Sequence, residues 1–430
     1  MRKVILIALI TIIGYSTAFP QSKNALKDAF YEAEYYILYE DYNEALGLYL
    51  NLLNNGLDNA YINHRIGECY LQIPGQKNKS IPYLEEACEN ITKVIKEGAF
   101  KETNAPIRTI FYLACAYQVN NELDKAIETF ERFKQKLADN KIYNTDYIEK
   151  QILSCEIAKE FMNNPIDVKE SNIGDRINDG FPNIRPVISS NENCMVYVSK
   201  LKFYDAIFFT KKVDNEWTTP RNITPELSSD GNIYSCFLSS YGKTLLLYKY
   251  DSYNSDIYIS HRIKNERWTT PEKLNKHINS KYQETFASLS EDGKTIYFVS
   301  DRKGGFGGTD IYKSVFDEKT NDWGKAINLG IEINTSLNEE TPILSKDGGK
   351  LFFSSQGHYN MGGFDIFYAQ LNENGKWEKP RNLGYPINST DDNLFFFPVG
   401  DGTNAYVSKF DQNGFGQEDI VKLEITSNDR

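Results

Sequence analysis

The chain is short of the residues on which most catalytic chemistry rests. Four histidines are spread over 430 residues, none spaced for zinc, and no CxxC pair accompanies them. There is no GxSxG elbow for a serine hydrolase, and no glycine loop ending in Lys-Ser or Lys-Thr for a phosphate. A basic excess is missing too: 48 Lys and Arg stand against 59 Asp and Glu, a net charge of −11. That balance excludes a nucleic-acid surface and argues against docking on anionic lipid. Beyond the N-terminus no apolar run approaches bilayer length. What the chain has in quantity is aromatic residues, 13% and mostly Tyr and Phe, a bias that suits strands.

The opening "MRKVILIALITIIGYSTAFP" carries two basic residues, a short apolar run and then small residues. Ser16 and Ala18 fit the −3 and −1 positions of a signal-peptidase site, so residues 1–18 read as a signal peptide and the protein as exported. The alternative, an uncleaved anchor, is disfavoured by the length and flanks of the run. The first cysteine, Cys69, lies far beyond the cleavage site, which argues against a lipid-modified N-terminus. Cys69, Cys88, Cys115 and Cys155 fall in helical patterns and Cys194 and Cys236 in strand patterns. The expectation is buried thiols, although an exported chain permits disulfides.

From residue 22 to about 163 the pattern is helical. "EAEYYILYEDYNEALGLYLNLL" places Ala33, Tyr36, Ala45 and Tyr49 at spacings of 3, 9 and 4. "YLACAYQVNNELDKAIETFERF" places Ala114, Tyr117, Ala126 and Phe130 at the same spacings. These phrases resemble the small and aromatic positions of tetratricopeptide (TPR) helix pairs, where small residues let helices approach and aromatics fill the hole between pairs. A middle copy begins at "RIGECYLQ", with Gly67 34 residues after Ala33. Ala114 follows Gly67 by 47, so the second unit carries 13 extra residues, placed near residues 93–104. A last helix, about 146–162, is expected to cap the stack. In the TPR family the first helix of each unit lines a concave groove for peptides or partner proteins. The resemblance implies groove residues Lys27, Phe30, Glu34, Tyr61, His64, Glu68, Arg108, Phe111 and Gln118, with Phe30, Tyr61 and Phe111 as exposed apolar anchors. The competing expectation is a spacer packed on the next domain.

From residue 166 on, short strands and turns take over. Trp217, Trp268, Trp323 and Trp377 are spaced 51, 55 and 54, each preceded by an Asp: Asp205, Asp256, Asp310 and Asp365, with Asp419 continuing the series. Each Trp opens a phrase of the type "WEKPRNL", and Asp-Gly hairpin signals recur at Asp292–Gly293, Asp347–Gly348 and Asp401–Gly402. Four strands repeating at about 50 residues indicate a β-propeller blade. Counting Asp positions gives five blades. The fifth lacks its outer strand, because the chain ends soon after "DIVKLEI". The spare copy of the following phrase, "SNIGDRIND", precedes blade one, so residues 167–172 are expected to pair with residues 420–425 and close the ring.

The stretch "GGFGGTDIY" is read as a blade connection, since a strand rather than a helix follows it. The repeated Asp is expected to bond backbone amides in its own blade, with a bound cation as the lesser alternative. These repeats resemble PD40 (WD40-like) repeats, as in TolB-type propellers. TPR units followed by such a propeller are similar to the periplasmic TPR–propeller–OmpA-like proteins of Gram-negative envelopes, one of which belongs to the type IX secretion apparatus. In that family a peptidoglycan-binding OmpA-like domain usually follows; here residues 426–430 remain after the last blade strand, a departure that bears on wall anchoring and on the secretion role.

The expected fold is α + β: a TPR α-solenoid over residues 19–163, then a five-bladed β-propeller over 164–425 closed by an N-terminal strand, with a tail at 426–430. The expected function is a non-catalytic periplasmic scaffold that binds envelope proteins or peptides through the groove and the propeller faces. The resemblance implies an outer-membrane or secretion complex as its setting. No cofactor or metal is expected. The alternatives are a five-bladed glycoside hydrolase and a glycan-binding protein. A hydrolase needs carboxylates converging at the channel mouth, and Glu284, Glu339, Glu340, Asp391 and Asp392 are the candidates. As loop-capping groups instead, Glu284 and Glu339 are expected to tolerate replacement by Gln. Tyr204, Tyr253 and Tyr359 are the candidate sugar-stacking faces.

Overall fold

The structure is a computed structural model and describes residues 22–137, 145–251 and 254–426. The signal-peptide reading of residues 1–18 and most of the tail lie outside the described residues. Among the described residues seven α-helices come first: α1 (Lys23–Leu38), α2 (Tyr42–Asn54), α3 (Ala60–Gln72), α4 (Ser80–Ala87), α5 (Thr109–Val119), α6 (Leu123–Lys136) and α7 (Thr145–Asn163). Side chains cap the starts of the first three. Ser22 accepts from Ala25 N at 3.3 Å, Asp41 from Glu44 N at 3.4 Å, and Asn59 from Tyr61 N and Ile62 N at 3.1 Å. Ala33, Ala45, Ala114 and Ala126 are wholly buried where the helices meet. Gly67 serves the same end, since a Cβ there would sit 2.4 Å from Leu84 Cγ. The extra residues of the second unit fall between α4 and α5 and are bracketed by a parallel pair, Ile91–Thr92 with Ala105–Pro106.

Five antiparallel blades follow. The inner strands are Asn183–Ile188, Ile233–Leu238, Glu284–Leu289, Glu339–Leu344 and Phe397–Val399. The outer strands differ from expectation. The Trp and the phrase after it do not form one continuous fourth strand. In blade three, Asp322–Trp323 and Ile327–Asn328 pair separately with the third strand, and Trp268 and Trp377 make only isolated bridges. In blades one, two and four a proline (Pro220, Pro271 and Pro380) cannot donate to the ladder and interrupts the strand, whereas blade three is interrupted at the same place without one. Trp268 and Trp323 are buried, and Trp217 and Trp377 half-buried.

Blade five is completed by Val168–Asn172, which pairs antiparallel with the last strand: Val421 faces Asn172 and Ile425 faces Val168. The ring is thus closed by strands from both ends of the propeller, leaving no open edge at the seam. All six cysteines are free, with Cys69, Cys155, Cys194 and Cys236 buried. Among the described residues no helix is long and apolar enough to cross a membrane.

Candidate partner-binding surfaces

The helical groove is not open. Phe30, Tyr61, His64 and Gln118 are buried, Phe111 is half-buried, and of the nine groove residues only Lys27 is exposed. The expectation of Phe30, Tyr61 and Phe111 as exposed anchors is therefore corrected. The cause is the inserted segment, which folds back over the groove wall. Phe100 packs edge-on against Phe30 at 5.5 Å, Gly98 N donates to Tyr61 Oη at 2.9 Å, and Tyr61 N donates to Thr103 O at 3.2 Å. Arg108 pairs with Glu97 of the same segment. Phe111 is held by Phe130 and Tyr147 at 5.5 and 6.2 Å.

Beneath the segment lies a closed charge network. Glu34 accepts from Tyr49 Oη at 2.6 Å, from Tyr61 Oη at 3.1 Å and from Arg65 at 2.7 and 3.0 Å. Arg65 also donates to Glu68 at 2.7 Å. Burial pushes the Tyr61 phenol up to about 12. His64 lies flat on Tyr112, with centroids 5.6 Å apart, and its Nδ1 is 3.0 Å from Thr109 Oγ1. Burial holds its pKa well below the usual imidazole range, so it is a neutral wall residue.

Each of the five candidate acids of the propeller is engaged by local partners. Glu284, fully buried, accepts from Ser280 N at 2.9 Å, from the hydroxyls of Ser280 and Ser300 at 2.8 Å, and from Arg302 at 2.9 Å. Glu339 repeats this capping with Thr335 and Ser355 at 2.7–2.8 Å. Glu340 accepts from Thr285 at 3.2 Å, and burial pushes its carboxyl up to about 7. Asp391 pairs with Lys77, and Asp392 accepts from Phe364 N at 2.9 Å. At the channel mouth the Arg185 guanidinium stacks over Tyr234 and Phe395 at 4.7 and 4.5 Å and donates to Tyr248 Oη at 2.6 Å. Arg185, Phe286, Ile343, Phe395 and Phe397 line a small cavity of about 10 Å³ between the inner strands.

The repeated Asp holds its own blade's connection. Asp310 accepts from Phe306 N at 2.7 Å and Gly307 N at 3.2 Å, and Asp419 from Phe415 N at 2.9 Å and Gly416 N at 3.1 Å. Asp365 accepts from Met361 N at 2.8 Å. Each also takes the amide of the Asn in the outer phrase: Asn328, Asn382 and Asn172 at 2.6–2.8 Å. Blades one and two depart from this. Asp205 accepts from Tyr234 and Asp256 from Lys273. Among the described residues no group of three or more His, Cys, Asp or Glu is placed to hold a metal ion.

The same connection in blade four does something further. Met361 is wholly buried in the core of α5, α6 and α7. Beside it, Asn360 accepts from Ser154 at 2.7 Å and from Lys150 at 3.0 Å, and Tyr359 donates to Glu160 at 3.0 Å. Lys77 to Asp391 at 2.7 Å and Thr390 to Asn121 at 3.0 Å extend the seam. A cleft of about 480 Å³ opens next to it, lined by Phe161, Ile166, Tyr359, Phe367, Pro380 and Leu383. At the position of Met361, four residues before the repeated Asp, blades three and five carry Phe306 and Phe415. These are 49% and 50% exposed. The sequence reading missed this rim position; its signal was an apolar residue inside otherwise polar, glycine-rich connections. Of the sugar-stacking candidates, Tyr204 takes a bond from Asn222, Tyr359 belongs to the seam, and Tyr253 lies outside the described residues.

No family model and no curated protein sequence matches the chain. Among solved structures it is similar to TolB from Acinetobacter baumannii, at 17% identity and a TM-score of 0.39 over 56% of this chain and 54% of that one. The match thus spans about half the length of that TolB. A putative TolB from Agrobacterium tumefaciens is similar at 19% identity and a TM-score of 0.37, over 59% of this chain and 78% of that one. The α-L-arabinofuranosidase PaAbf62A from Podospora anserina, in complex with cellotriose, is similar at 13% identity and a TM-score of 0.37, over 58% and 92%. At such values these likenesses carry no argument about what the chain binds.

Proposed function

We infer that the chain is a non-catalytic scaffold that holds partner proteins, using its propeller rim as blade four uses it on the helical stack. The observation that carries this reading is the rim position itself. Met361 is seated among helices, whereas Phe306 and Phe415 present larger apolar side chains to solvent from equivalent, Asp-braced connections. Exposed aromatic anchors on a rigid frame are what dominate protein interfaces. The seam cleft offers an adjoining apolar pocket of a size that accepts a partner side chain. The helical groove is a second surface, available to a partner that displaces residues 97–103. The exported reading of the N-terminus supports a periplasmic setting for this role, and an outer-membrane or secretion complex is the setting the TPR–propeller resemblance suggests.

Photo-crosslinking residues placed at 306 and 415 test the reading in the native envelope, with position 347, on a hairpin tip, as control. The expected result is one shared protein crosslinked from both rim positions and not from the control. Absence of any rim-specific crosslink contradicts it.

A further inference from the structure

The first helix carries a stripe that the rest of the stack shows how to interpret. Tyr31 and Tyr35 of α1 and its C-cap Tyr39 follow one another at spacings of four and are 46%, 55% and 66% exposed. The rings of Tyr35 and Tyr39 have centroids 4.6 Å apart, and Lys27 Nζ sits 5.8 Å from the Tyr31 ring. One unit of 34 residues later, the same positions are Arg65, Cys69 and Ile73, all buried. In the third unit the middle position is Ala116, also buried. Those residues are covered because α2 packs on α3 and α4 on α5. The stripe on α1 is thus a helix-stacking face, apolar where the end of a stack normally turns polar.

The charges beside the stripe say what fits it. Exposed Lys23 and Lys27 sit in the first turns of α1, and exposed Glu40, Asp41 and Glu44 lie in the turn that follows α1 and at the start of α2. The first turn of α1 has no acidic residue and the last turn no basic one. This order runs against the helix dipole, which favours anions at the N-terminus and cations at the C-terminus. A second α1 laid antiparallel reverses the mismatch. It places the acidic end of one helix beside the basic end of the other and opposes the two dipoles. Asp28, exposed near the basic end, and Glu32, exposed in the middle of α1, reduce the complementarity, which then rests on Lys23 and Lys27 at one end and Glu40, Asp41 and Glu44 at the other.

We propose that the chain forms a two-fold dimer in which α1 packs antiparallel on α1 of a second copy, with Tyr35 near the axis and Tyr31 facing Tyr39 of the other copy. Such an interface is isologous, so every contact is made twice. It also sets two propellers at opposite ends of one helical stack, with their rims free.

Sedimentation of the purified full chain tests this with two charge variants. Lys23→Glu with Lys27→Glu makes both ends of α1 acidic, and Glu40→Lys with Glu44→Lys makes both ends basic. The wild type should dimerise. Each variant alone should associate about tenfold more weakly or less, a change of about 1.4 kcal/mol. An equimolar mixture of the two should recover a dimer, because acidic ends then meet basic ends on both sides. Tyr35→Asp, at an exposed position, should be monomeric, with a melting temperature equal to that of the wild type at concentrations low enough for the wild type to be monomeric. A wild type that stays monomeric up to its solubility limit overturns the proposal and leaves the stripe to another occupant, such as residues preceding α1. A dimer that survives both charge variants and Tyr35→Asp overturns it equally.

Discussion

Asn172 and Asp419 are separated by 247 residues in the chain and by 2.8 Å in space, the Asn amide donating to the carboxylate. Inside blade three the same bond joins Asn328 to Asp310 at 2.7 Å, and inside blade four Asn382 to Asp365 at 2.6 Å. Blade five is therefore built to the pattern of its neighbours, from strands contributed by the two ends of the ring. Asn172 also accepts from Asn178, whose amide exchanges two bonds with the Ile420 backbone.

Removing this lock should weaken the whole ring. In the full chain, Asn172→Ala leaves buried Asp419 short of a donor, and should lower unfolding stability by about 1–3 kcal/mol in urea titration. A chain beginning at Gly174 should aggregate, since the outer edge of the last strand would be unpaired. A soluble, monomeric propeller from that shorter chain contradicts closure by residues 168–172.

The seam between stack and propeller should respond to pH through Asp365. Burial pushes this carboxyl up to about 7, against its ordinary value of 3.8. A raised pKa means that the folded state binds the proton more tightly than the unfolded chain. Its contribution is fully present below about pH 4 and is lost as pH rises through about 7. The melting temperature should therefore carry a component that falls across that window. Asp365→Asn keeps an acceptor for Met361 N and should flatten the component. An unaltered pH profile in the variant contradicts this assignment.

Replacing the two capping glutamates should have unequal effects. Glu284 is paired with Arg302, whose side chain is itself mostly covered, so Glu284→Gln should cost about 1.5–3 kcal/mol. Glu339 has hydroxyl and backbone donors but no cation, and burial raises its pKa, so Glu339→Gln is the milder change. Chemical denaturation of the two single variants measures the difference. Equal midpoints would show that the Arg302 pair contributes nothing.

Repetition made the propeller legible. The Trp and Asp series gave the blade count, and the orphan phrase "SNIGDRIND" gave the closing strand, which is observed at Val168–Asn172. Spacing of Ala and Tyr marked the helix pairs in the same way. What repetition could not supply was the behaviour of residues that break it. The 13 inserted residues belong to no template, yet Gly98 and Phe100 within them cover the groove that the repeat pattern had left open. Likewise, Met361, Phe306 and Phe415 occupy one repeat position, but only the docking of α7 on blade four distinguishes a buried knob from two exposed ones. The cost now predicted for Glu284→Gln, against the tolerance expected from sequence, has a related origin. Sequence places the acid at a strand start, whereas its cost is set by Arg302, 18 residues away.

The scaffold reading is tested most directly by the rim. Phe306→Ser with Phe415→Ser should leave the melting temperature and the helical stack unchanged, because both side chains are half exposed. If the rim holds partners, the protein crosslinked from both rim positions should no longer co-purify with the double variant in stoichiometric amount, while it continues to co-purify with a control variant at Asp347. Undiminished co-purification with the double variant would contradict the account.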